Sequence, residues 1–282
     1  MIGVFDGVGR ICAGFASVVV FLFLAAPIGI LVTASFGSGQ YLEFPPPGLT
    51  TRWYREFFAD PQWPRALVVS TVLALVVAAT TTTAAATTAW WFDTARWRAL
   101  ELVGIFFLFP AVLPVIIFAV AYYVTFANVT LAGPWTKLAL AHVVLAFPFS
   151  LVILRAGMAN RDRTLEDAAR VLGARPVRVA LAATVPAIRW HLAAAALLAF
   201  VISFTEPIVA IFLTSGDTAT LPQKTWEGVR FGLDPTTAVA STFLLYGTLF
   251  GTIVATAAAG RRRRTAQRRL ARRVGGVPMR AR

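Results

Sequence analysis

The sequence is poor in the side chains that carry most enzyme chemistry. Its 282 residues include one cysteine, Cys12, and two histidines, His142 and His191. A single cysteine excludes an internal disulfide framework and a cysteine-rich metal centre. The two histidines lie far apart and make no metal-ligand spacing, so no metal site is expected. Neither a Walker A pattern nor G-x-G-x-x-G occurs, so the chain carries no nucleotide fingerprint of its own. Charge is scarce too, at 14% of residues, where soluble domains run nearer ~25%. Apolar residues are abundant at 58%, with a mean hydropathy of +0.72. That excludes intrinsic disorder, which needs few of them.

What charge there is leans one way, with 26 basic against 13 acidic residues and a net charge of +13. In a soluble chain this excess would suggest nucleic acid. In a chain this apolar, the distribution of the charge decides. A bilayer core needs ~20 mostly apolar residues per helix. Six stretches qualify, at 11–34, 66–92, 100–126, 138–158, 192–214 and 238–259. The first follows Arg10 and has a signal-peptide look. Its apolar run is longer than the ~7–15 residues of a signal h-region, so it reads as an uncleaved span. Thr80–Thr83 interrupts the second, tolerably, because threonine hydroxyls bond back to helix carbonyls. Pro110 and Pro114 predict a kink or break in the third.

With the N-terminus in the cytoplasm, the inside segments hold Arg10, Arg96, Arg98, seven arginines from Arg155 to Arg189 and ten from Arg261 to Arg282. Six basic residues fall outside: Arg52, Arg55, Arg65, Lys137, Lys224 and Arg230. Acids divide evenly between the sides, and Glu206 alone lies within a span. This obeys the positive-inside rule and puts both termini in the cytoplasm. The chain is therefore an all-α integral membrane protein with six transmembrane helices in one domain, 1–260. The basic tail 261–282 reads as a stop-transfer segment that contacts anionic lipid, not nucleic acid. The outer stretch Trp53–Phe58 reads as interfacial, lying on the membrane.

The longest cytoplasmic connection, 159–191, has a clear local grammar. Thr164 can cap a helix, with Asp167 in capping-box position. Leu165, Ala168, Ala169 and Leu172 share one apolar face. Glu166 and Arg170 form an i,i+4 pair. Gly173 is the expected stop, and Pro176 can start a second short helix. Such a helix–turn–helix suits a docking knob. Periodicity alone leaves open a basic loop held at the lipid headgroups.

Asp167-Ala-Ala-x3-Gly173, then nine residues, then Ala183-Thr-Val-Pro186 resembles the "EAA" loop of permease subunits in binding-protein-dependent ABC importers. That pattern is Glu-Ala-Ala-x3-Gly-x9-Ile-x-Leu-Pro. The spacing agrees throughout. Asp167, Ala183 and Val185 depart from it, each with a shorter side chain of the same kind. Glu166 beside Asp167 leaves open which carboxylate serves. The six-span layout and the phrases Leu197–Pro207, Leu221–Trp226 and Arg230–Pro235 are similar to the spermidine/putrescine permease branch, its C-type subunit more than its B-type. Iron(III), phosphonate and opine importers share related phrases.

The resemblance implies a type I ABC importer permease (MetI-like) fold in the bacterial inner membrane, without catalysis of its own. It implies a second permease in a heterodimer, two ATPase subunits and an extracytoplasmic binding protein. ATP and Mg would bind the ATPases, with no cofactor in this chain. The coupling loop would use Thr164, Leu165, Glu166, Asp167, Ala168, Ala169, Leu172, Gly173 and Pro186. The cargo would be a small solute, a polyamine first.

Glu206 is a candidate for the solute path, because an intramembrane carboxylate is expensive to keep there. Its rival role is an acid near the outer interface, hydrogen-bonded to a partner helix or to backbone freed by Pro207. Ser203, Thr205, Tyr122 and Tyr123 could add polar or aromatic contacts to a cation, though tyrosines at a span's end also serve as interface anchors. His142 reads as a satisfied core histidine. His191 gets no role. An ATP-independent carrier would show repeats and charges on several spans. A membrane enzyme would want a catalytic constellation that one acid and two separated histidines do not make.

Overall fold

The computed structural model describes residues 2–95, 100–127, 129, 133–214, 216–232 and 235–253. Arg96, Arg98, the end of the sixth span and the arginine-rich tail lie outside them. The helices in chain order are α1 (Ile2–Ser35), α2 (Arg52–Ala59), α3 (Gln62–Thr94), α4 (Leu100–Val112), α5 (Val115–Phe126) and α6 (Pro134–Ala159). There follow α7 (Thr164–Val171), α8 (Pro176–Val179), a π turn at Ala180–Thr184, α9 (Val185–Thr205), α10 (Ile208–Leu213) and α11 (Leu221–Phe231). The last is α12 (Pro235–Ile253). Among the described residues there is no strand, only an isolated bridge between Gly37 and Leu49.

Helices α3, α6 and α9 pack together as the centre of the bundle. The reason is visible in α3, which buries Ala66, Ser70, Ala74, Ala78, Thr82, Ala85 and Ala89. Small residues three or four apart let helix backbones approach, and in lipid close packing must do what hydrophobic burial does in water. Gly157 of α6 continues the theme, since a Cβ there would lie 2.6 Å from the His191 ring. Large apolar side chains such as Val68, Val72 and Leu75 are exposed on the other face of α3, where lipid would meet them.

The third span breaks sharply. Its two halves, α4 and α5, meet at 106°. Pro114 supplies no N–H and pushes Leu113 out of the helical region. Helix α10 packs against α5 and α6. The threonine run of α3 behaves as expected at Thr80 and Thr83, which donate to Val76 and Ala79 carbonyls at 2.8 Å. Thr81 and Thr82 are buried, and their hydroxyls make no hydrogen bond among the described residues.

Two expectations are corrected here. Trp53 and Phe57 do not face outward, although Phe58 beside them does. They are buried with Ala66, Leu221, Val239 and Ala240, and Trp53 Nε1 donates to the Gly37 carbonyl at 2.8 Å. The fifth span also differs from 192–214. Its apolar helix runs from Pro176 to Thr205 and ends at Glu206, whose backbone is extended. Pro207 dictates this stop, because the residue before proline avoids the helical region.

Helix α1 stands apart. None of its apolar window is buried, and Phe15, Phe21, Phe23 and Leu24 are all exposed.

Candidate functional site

The connection 159–191 builds a rigid knob. Asp162 Oδ1 accepts hydrogen bonds from Thr164 N at 2.9 Å and Thr164 Oγ1 at 2.6 Å, and so starts α7. The expected capping box of Thr164 with Asp167 is therefore corrected. Thr164 is the first helical residue, and Asp162 performs the local capping. At the other end Gly173 N donates to Arg170 O and Ala174 N to Ala169 O. This is the Schellman pair of bonds, and Gly173 has the φ of +79° that it needs. Arg175 is then extended, and Pro176 opens α8, so the stop and restart fall where expected.

The apolar side chains of this knob face outward. Leu165 is 73% and Leu172 86% exposed, and Val171 and Val177 are exposed beside them. A cleft of about 750 Å³ lies next to them, lined by Gly173, Val177, Leu181 and their neighbours. Ala168 is exposed and Ala169 half-buried, so nothing bulky stands between the two leucines.

The two adjacent acids separate cleanly. The Asp167 side chain is 65% exposed and lies 3.9 Å from Arg170 Nη1. The Glu166 side chain is 3% exposed. It accepts from Arg161 Nε at 2.6 Å, Arg161 Nη2 at 3.0 Å and Thr184 Oγ1 at 2.7 Å. Arg161, itself 2% exposed, also donates through Nη2 to Asp93 Oδ2 at 2.5 Å and through Nη1 to the Met158 carbonyl. Arg163 closes on the other Asp93 oxygen at 2.6 Å. The Arg161 bonds hold the Glu166 carboxyl below its ordinary range, against an opposing push from burial. The guanidinium is raised further in return, chiefly by Glu166.

Thr184 reaches Glu166 from the π turn. Pro186 sits in the first turn of α9. In an unbroken α-helix its ring would press on the carbonyl four residues back. The widened turn just before it relieves that clash and aims Thr184 at α7.

A second polar cluster lies inside the bundle. His142 Nδ1 and Ser203 Oγ are 2.9 Å apart. His142 Nε2 lies 3.8 Å from Glu206 Oε2 and makes no hydrogen bond among the described residues. His142 is therefore a core residue, as expected, but only half satisfied. Glu206 accepts from the backbone N–H groups of Ile208 at 2.9 Å and Val209 at 2.8 Å. It thus caps α10 with backbone that Pro207 freed. Of the other path candidates, Tyr122 is buried and stacks on Phe126 with ring centroids 4.4 Å apart. Tyr123 is exposed. Thr205 is exposed and bonds back to Val201.

Sequence reasoning missed Arg161, Asp93 and Thr184, and missed His142 as a partner of Glu206. Asp93 and Arg161 are 68 residues apart, and no local spacing links them. Among the described residues no group of three or more His, Cys, Asp or Glu could hold a metal.

Comparison with known proteins agrees with this geometry. The family model for the "Binding-protein-dependent transport system inner membrane component" matches residues 85–265. The putrescine transport system permease protein PotI of Escherichia coli K12 is 29% identical over 232 residues, 80% of this chain and 82% of that one. The spermidine/putrescine transport system permease protein PotC of the same strain is 25% identical over 239 residues, 84% and 90% of the two chains. A solved bacterial ABC transporter involved in import of the acidic polysaccharide alginate has the same fold. Its TM-score is 0.63 at 14% identity, over 91% of this chain and 96% of that one. With well over half its length matched, the chain belongs to the family of binding-protein-dependent inner membrane transport components, the non-catalytic permease subunits of ABC importers.

Proposed function

We propose that this permease is one half of the pathway of a polyamine importer, coupled to its ATPase through α7. Family membership brings a second permease, a separate ATPase and a binding protein as partners. Our finer reading is a heterodimer with two ATPase subunits, one on each permease, and with ATP and Mg held by them. The observation that carries the coupling role is the outward face of Leu165 and Leu172 on a helix capped at both ends. Exposed leucines on a cytoplasmic knob make sense where a partner groove covers them. ATP-driven closure of the ATPases would draw the knobs together and rock the bundles between two states.

The polyamine reading is supported by the names of PotI and PotC and by Glu206. The Glu206 carboxylate already serves two backbone amides. It would therefore attract a passing cation by its charge, with Ser203 and His142 behind it. Thr205 and Tyr123 face away from this chain, where a second permease would complete the route. Tyr122 supports that wall from inside. We place both termini in the cytoplasm, with the basic tail on anionic lipid.

The test is uptake by the reconstituted transporter of spermidine, putrescine, ferric iron and a phosphonate. Spermidine or putrescine should be taken up and the others not. Glu206→Gln should reduce polyamine uptake severalfold. Uptake of iron or phosphonate alone would overturn the polyamine assignment and leave the coupling reading standing.

A further inference from the structure

Arg161 occupies the point where four elements meet. Its Nη1 holds the Met158 carbonyl at the end of α6. Its Nη2 holds Asp93 at the end of α3. Its Nε and Nη2 grip Glu166 of α7 in a fork. Thr184 of the π turn binds the same carboxylate from the α9 side. The guanidinium is buried although the segment around it is exposed: Asp162, Arg163 and Thr164 all face water. Every charge in the cluster has a partner, with Arg163 and Arg170 at its rim.

Helix α7 packs on α8 and the π turn, the near end of the fifth-span helix, and its leucines face away from the bundle. With α3 and α6 its contacts besides this cluster are sparse. A knob that only had to exist could be tethered by its flanking chain. This one is bolted by the planar fork of an arginine, which fixes orientation as well as distance.

We propose that Arg161 is the positioning residue that transmits displacement of α7 to the membrane helices. On this assignment the Asp93–Arg161–Glu166 cluster is a rigid joint. Movement of α7 by the ATPase pulls α3 and α6 through Arg161 and α9 through Thr184. Movement of the bundle by the binding protein reaches the ATPase by the same joint. The assignment rests on the reading of α7 as the docking helix.

The experiment uses the complete transporter in proteoliposomes, with the binding protein purified from its host carrying its own ligand. Three quantities are measured: ATPase retained on the permeases, basal ATP hydrolysis, and hydrolysis stimulated by the binding protein. The decisive variant is Asp93→Asn/Arg161→Met/Glu166→Gln. It removes all three buried charges together, and so avoids the buried unpaired charge that a single change leaves. It should hold the ATPase and hydrolyse ATP, while stimulation by the binding protein falls about tenfold, a typical coupling factor. Arg161→Met alone should lose stimulation as well. A merely structural cluster would move assembly and hydrolysis together and leave the stimulation ratio in place. Wild-type stimulation in the triple variant would overturn the proposal. So would loss of the ATPase from it, which would assign the cluster to folding. The docking reading fails separately, if Leu165→Asp/Leu172→Asp still holds the ATPase as the wild type does.

Discussion

Glu166 and Asp167 are neighbours with opposite surroundings, and this divides their work. Asp167 is left in water where a partner can reach it. Glu166 is consumed by Arg161 and Thr184. Because Arg161 holds the Glu166 carboxyl below its ordinary range, its stabilising contribution is complete above the ordinary Glu value of ~4.3. It is lost only as pH falls through the lowered folded value. Hydrogen exchange of the α7 amides should therefore show flat protection from about pH 8 down to about pH 5, with loss only in stronger acid. A midpoint near neutrality would contradict the assignment of this ion pair. Gly173 is the other decisive residue. Its φ of +79° costs a side-chain-bearing residue ~1–2 kcal/mol, and a β-branched one resists it most. Gly173→Val should abolish ATP-driven uptake in membrane vesicles while the chain still inserts at wild-type levels.

At the scale of elements, the helices of the bundle pack through small residues and α7 is held by charge. The α6–α9 contact can be probed at Gly157, where a Cβ would lie 2.6 Å from the His191 ring. Gly157→Ala should destabilise the detergent-solubilised protein by about 1–3 kcal/mol through overpacking. His191→Ala in the same chain should recover most of that loss in a thermal melt, since it removes the obstructing ring. Helix α7 shows how much of an element local sequence can specify. Gly173, Pro176 and the i,i+4 pair of Glu166 and Arg170 act where their spacing said they would. Only the N-terminal start differs: the cap position falls at Arg163, without a side-chain bond of its own, and Asp162 bonds Thr164 from outside the helix. The start of the fifth span was less legible. Arg178, Arg189 and His191 lower the hydropathy of a segment that is nonetheless helical from Pro176. A helix is free to extend past the bilayer into water, and hydropathy sees only the part in lipid.

At the scale of the whole molecule, five helices among the described residues are long and apolar enough to span a membrane, or six with the bent α4–α5 pair as one span. The apolar window of α1 within Gly14–Ser35 is unburied, and α3, α6 and α9 form the core. The orientation gives a direct prediction. Alkaline phosphatase fused after Gly48 or Thr220 should be active, and fused at Arg282 inactive. The reverse pattern would invert the positive-inside assignment.

The sequence by itself determined the membrane class, the approximate spans, the break at Pro114 and the short helix of 159–191 with its Gly173 stop. Each rests on forces that act within one helix or one turn, where neighbours in sequence are neighbours in space. Only the tertiary structure decided that Glu166 faces in and Asp167 out, that Arg161 bridges α3, α6 and α7, and that His142 lies between Ser203 and Glu206. Those choices join residues 61 and 68 positions apart in the chain. A buried charge or imidazole takes whichever partner packing brings within reach, and no local period records which one that is.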